Sequence, residues 1–149
     1  MKQNESSTQQ LLELDQWEKT LQQWFYSLSP QVLGPQLAIL LQKITPIANH
    51  QLLNDISSAY HEKNDSLRWS IFEKAQLIGF GTPTGSLALA LFWSYGSMSP
   101  LGFEPVYPDP KLSSQMLYCV VLMVVTQLAD SPINGLTQFL SLYTTIKGT

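Results

Sequence analysis

Charge is scarce in this chain. Asp, Glu, Lys and Arg make up 13% of its 149 residues, against about 25% in an average domain. There is one arginine, Arg68, and the net charge is -3 with a pI of about 5.2. Binding a phosphate backbone needs clustered Lys and Arg, so a nucleic-acid partner is excluded. A single cysteine, Cys119, rules out an internal disulfide and fits a reducing compartment. It stands between Tyr118 and Val120 in an apolar run, where a small buried hydrophobe is expected. Metal-ligand motifs are missing as well. His50 and His61 are eleven residues apart, three helical turns, and no H-E-x-x-H or paired-cysteine pattern occurs. No serine lies in a G-x-S-x-G elbow, and Gly79-Phe80-Gly81 lacks both the dinucleotide glycine spacing and a Walker lysine. The expectation is a protein with no metal, no cofactor and no catalytic group.

Long hydrophobic runs are also lacking. Met116–Val125 spans about ten apolar residues, half of what a membrane crossing needs, and reads as a buried core helix. The first ten residues are polar, without the apolar centre of a signal peptide, and are expected to form a disordered tail. A cytoplasmic protein with no transmembrane span follows as an expectation.

What is abundant is apolar surface, 44% of residues, arranged with helical period. Five capping residues are each followed at once by proline: Ser29-Pro30, Thr45-Pro46, Thr82-Pro83, Asp109-Pro110 and Ser131-Pro132. The capping side chain accepts from a free N–H of the first turn, and proline fits the next position because it lacks one. These pairs predict five helix starts. Between them run stripes at steps of three and four. Leu11, Leu14, Trp17, Leu21, Trp24, Phe25 and Leu28 form the first, and Leu33, Leu37, Leu40, Leu41 and Ile44 the second, where Gly34 and Pro35 blur its beginning. Leu52, Leu53, Ile56, Ala59 and Tyr60 make a third, and Leu67, Ile71, Ala75 and Ile78 a fourth that ends at Gly79. Ser86–Tyr95 is apolar all round and predicted buried, Trp93 included. Residues 96–110 hold four prolines and two glycines and cannot be helical. Two further helices, Lys111–Ala129 and Ile133–Ile146, close the chain. The sequence therefore predicts an all-α, single-domain bundle over 1–149, about seven helices with a Pro/Gly-rich crossover loop at 96–110.

From about Ser66 onward the sequence resembles a family of small, uncharacterised bacterial helical proteins often encoded near type VI secretion genes. The residues that carry the resemblance are Gly79-Phe80-Gly81-Thr82-Pro83-Thr84-Gly85, Ala88–Pro100 with its F-W-S-x-G-S-x-x-P core, and Val106-Tyr107-Pro108-Asp109-Pro110-Lys111-Leu112. The resemblance implies association with a secretion system and no known reaction.

These features together predict a non-enzymatic adaptor, chaperone or accessory protein whose partner is another protein. Proline-stiffened segments lose little entropy on binding and aromatics supply anchors. Candidate contact residues are therefore Pro100, Phe103, Glu104, Val106, Tyr107 and Pro108 in the loop, with Trp17 on the first helix. The alternative is a small secreted effector or hydrolase with catalytic residues dispersed along the sequence, a reading that a cleft around Glu104 or His61 would favour. A purely structural homo-oligomer is a third reading.

Overall fold

Four of the five cap–proline pairs open an α-helix. The computed structural model describes residues 16–147, which run as helix over 16–26 (α1), Pro30–Ile44 (α2), His50–Glu62 (α3), Asp65–Ile78 (α4), Pro83–Phe92 (α5), Pro110–Leu128 (α6) and Pro132–Lys147 (α7). Among the described residues there is no strand, so the all-α bundle is observed. The expected tail over 1–10, with Leu11 and Leu14, lies outside the described residues.

Ser29, Thr82 and Asp109 each accept from a first-turn N–H, those of Gln31, Gly85 and Lys111, and proline opens the helix after each. Ser131 Oγ accepts from Asn134 N at 3.2 Å. Thr45-Pro46 departs from the expectation. The Thr45 hydroxyl is turned back onto the Leu41 carbonyl and ends α2. Pro46 then leads into a single 3-10 turn, Ile47–Asn49, before α3. The start of α4 uses a cap without proline, Asn64 Oδ1 accepting from Leu67 N at 2.9 Å.

The centre of the molecule is α5, which packs against α2, α3, α4 and α6. Small side chains at Gly85, Ser86, Ala88 and Ala90 let those neighbours close in, and all four are buried. Leu37, Leu40 and Leu41 of α2, Leu53 and Ile56 of α3, and Val120, Val121 and Val125 of α6 complete the core at 0% exposure. Helix α7 lies along α6 and α2, with Phe139 buried and the Tyr143 hydroxyl donating to Gln36 of α2. Helix α1 covers α6 and α7: Trp24 meets Phe139 and Tyr143 edge-on at 5.3 and 5.0 Å, and Phe25 meets Tyr118 at 5.2 Å.

Helix α2 begins at Pro30, as the Ser29-Pro30 pair predicts, and runs unbroken through Gly34 and Pro35; the Tyr60 ring of α3 lies directly on Gly34, where a Cβ would sit 2.3 Å from Tyr60 Cζ. Two expectations are corrected by this packing, those for Cys119 and Trp93. Cys119 is exposed. Helix α6 turns Leu117, Val120 and Val121 inward. A residue two places from Leu117 is rotated by about 200° and faces out. Trp93, expected in the core, is half-buried at the end of α5, and its neighbour Phe92 is the buried one at 3% exposure. Helix α6 is also longer than its apolar run: at 19 residues and mean hydropathy 1.3 it is long and apolar enough to cross a membrane, by length and composition alone. Here one face of it packs on α5 and α7.

Two predictions come from this packing. Gly135 sits against α6, where a Cβ would lie 1.8 Å from the Val125 carbonyl oxygen, whereas one on Gly81 meets open space. Gly135→Ala should cost about 1–3 kcal/mol in thermal or urea denaturation, and Gly81→Ala should be nearly neutral. The Tyr60 hydroxyl is buried without a hydrogen-bond partner among the described residues, and burial pushes its pKa well above the usual phenol range, with Tyr95 adding to the rise. A raised folded-state value means that this group's contribution is intact below about pH 10 and lost as pH rises beyond it. Tyr60→Phe removes an unsatisfied buried donor and should hold or raise the melting temperature while delaying unfolding above about pH 10.

Candidate functional site

Asp65 and Arg68 stand one turn apart at the start of α4, and the geometry of the loop begins with them. Arg68 is 1% exposed. Its Nε and Nη2 both donate to Asp65 Oδ1, at 3.0 and 2.9 Å. Nη1 donates to the Phe92 carbonyl at 2.8 Å, and Nη2 to the Ser97 carbonyl at 2.7 Å. Four hydrogen bonds occupy a group with five N–H donors, which is what a buried guanidinium requires. Its Cζ also lies 4.3 Å from the Phe92 ring centroid and 5.5 Å from those of Trp69 and Tyr95. The cation meets the carbonyl end of α5, where the helix dipole is negative. It thereby fixes α4, the end of α5 and the first residue of the loop to one another.

Gly96 is the residue that lets the chain pass this cation. Its φ is +81°, and a Cβ would lie 2.7 Å from Arg68 Cζ, so conformation and space both demand glycine. From there the loop closes on itself. Ser97 Oγ accepts from Ser99 N at 3.0 Å and Val106 N at 2.9 Å, and donates to the Val106 carbonyl at 3.2 Å. Met98 N donates to the same carbonyl at 2.6 Å, and Phe103 N to the Pro100 carbonyl at 3.2 Å. The result is a compact loop with its ends pinned together, its tip stiffened by Pro100 and Pro105.

That tip is apolar and open to solvent. Leu101 is 99% exposed, Phe103 71%, Tyr107 69% and Val106 50%. Pro100 and Glu104 are exposed with them, and Pro108 is half-buried. Six of the seven candidate contact residues are thus brought together on one loop. The seventh, Trp17, is on α1, half-buried against the core, and does not line the grooves at the loop. A cavity of about 130 Å³ lies under the loop against Asp65 and Arg68. A wider groove of about 450 Å³ runs between α4 and the tip, with Asp65, Trp69, Ser70 and Glu73 facing Pro100 and Leu101. Glu104 and His61 line neither groove, and among the described residues no three His, Cys, Asp or Glu side chains gather to hold a metal.

Sequence reasoning missed Arg68 and Leu101. The signal for Arg68 was there: one arginine in a charge-poor chain, three residues after an aspartate and next to a tryptophan. Leu101 had only its position between Pro100 and Gly102.

Fold and loop together define a helical bundle that holds out a rigid, apolar-tipped loop. The chain belongs to a family of unknown function, DUF6931, whose model matches residues 9–146. The match takes in the first half of the chain as well, ahead of Ser66, where the resemblance begins. Comparison with curated proteins gives no match, and comparison with solved structures gives none either.

The arrangement around Arg68 makes a prediction about stability. Arg68→Met removes four hydrogen bonds and strands two carbonyls, and should cost roughly 2–5 kcal/mol. Arg68→Lys should restore little of that, because an ammonium cannot span Asp65, Phe92 and Ser97 as a planar fork does. Limited proteolysis should show faster cleavage within 96–106 in both variants. Phe92→Ala should cost about 3–5 kcal/mol, and Trp93→Ala much less.

Proposed function

We propose that this protein is a non-enzymatic adaptor, chaperone or accessory protein that binds another protein through the loop at 97–108. The observation that carries the reading is a pairing of two properties on one segment. Leu101, Phe103, Val106 and Tyr107 are half or more exposed, and the backbone that presents them is held by Arg68 and Ser97. Exposed apolar side chains cost solubility when nothing covers them. A rigid backbone loses little entropy when a partner does. Aromatic anchors on such a surface are the residues that dominate protein–protein binding energy. The setting that accompanies this reading is the bacterial cytoplasm beside a secretion system, the context that the family resemblance implies.

The test is the double substitution Phe103→Ser/Tyr107→Ser. Both side chains are largely outside the packed core, so the melting temperature should stay within about 2–4 °C of the wild type, the shift expected for 1 kcal/mol in a domain this size. Affinity purification from the native cell, quantified against the wild type, should show specific interactors lost with the variant. A stable variant that retains every interactor would place the binding surface elsewhere and overturn the proposal.

A further inference from the structure

The groove beside the loop tip has a charge of its own, and that charge selects among partners. One wall is α4, which contributes Asp65, Trp69, Ser70 and Glu73; the other is Pro100 and Leu101. Both Arg68 bonds fall on Oδ1 of Asp65, so Oδ2 keeps its lone pairs, and the Asp65 side chain is 63% exposed. Glu73 is exposed, and among the described residues neither it nor Glu104 of the tip takes part in an ion pair. Among the described residues no lysine lines the groove, and the one arginine is consumed within the fold. Carboxylates, an indole and an apolar tip therefore meet with no free cation among them.

We infer that the partner segment is a basic peptide in which a Lys or Arg stands next to an apolar residue; the inference rests on the loop being the docking surface. The cation enters the groove beside the half-buried Trp69 ring, which supplies a π-face, and Glu73 accepts from it, with Asp65 Oδ2 about two turns away on α4 adding to the negative field. The adjoining apolar side chain packs on Leu101 and Phe103. The groove volume of about 450 Å³ falls in the range of preformed ligand sites. The same carboxylates repel an anionic lipid surface, which a loop of exposed apolar residues would otherwise suit.

The experiment is selection of a random 12-residue peptide library on the whole protein, followed by anisotropy titration of the enriched peptides as synthetic probes. Enrichment of Lys or Arg beside an aliphatic or aromatic residue is expected. Glu73→Gln should weaken those peptides about fivefold to tenfold, with affinity falling as salt rises, at an unchanged melting temperature. Peptides that lack basic residues, bind wild type and Glu73→Gln alike, and are lost with Phe103→Ser/Tyr107→Ser would overturn the basic partner and leave loop docking in place. Enriched peptides indifferent to the loop substitution, or no enrichment at all, would overturn both. Binding to vesicles containing phosphatidylserine, lost with the loop substitution, would replace a peptide partner by a membrane and overturn the inference.

Discussion

A single buried guanidinium organises the part of this molecule that faces the outside. Burying a cation is unfavourable unless its donors are met and its charge is balanced. Arg68 satisfies that condition only when three separate pieces of chain are in place: Asp65 one turn before it, the carbonyl end of α5, and the Ser97 carbonyl at the head of the loop. Each piece is thus held by the requirement of the others. The aromatic rings of Trp69, Phe92 and Tyr95 enclose the same group and keep water from competing for it.

The rest of the bundle answers a simpler problem, that of surrounding a ten-residue helix with four neighbours. Helix α5 has no polar face to spend on solvent, and its glycine, serine and alanines bring the backbones of adjacent helices close. Larger side chains then come from the periphery: leucines from α2 and α3, valines from α6, aromatics from α1 and α7. The aromatic cluster of Phe72, Phe80, Trp69 and Phe92 joins this core to the cation site. Core and loop are therefore one structure, with Phe92 packed on Phe72 on one side and under Arg68 on the other.

Most of the fold was legible because its signals are local. A capping side chain and a following proline act within one turn, and the stripes of α2, α3 and α4 report a face that must be covered by something. Where the reading failed, the deciding contact came from far along the chain. Gly34 blurs the beginning of α2 in the sequence, and the reason a glycine stands there, the Tyr60 ring packed on it, lies twenty-six residues away. Trp93 and Phe92 cannot be ranked without Trp69 and Phe72. The loop was visible as a segment that cannot be helical, and its apolar residues could be named. Its rigidity was not visible, since that depends on one serine hydroxyl reaching nine residues ahead and on an arginine twenty-nine residues behind.

Ser97 closes the loop through backbone groups of Ser99 and Val106. The bonds that shape the tip thus engage the main chain of the residues between them and are indifferent to most of their side chains. Leu101, at 99% exposure, contributes almost nothing to the core. Within the limits set by Gly102 and the two prolines, substitutions can accumulate at the tip without eroding the bundle beneath it. A lineage carrying this scaffold is free to vary the tip at a handful of positions, while Arg68, Gly96 and Ser97 are held by the fold.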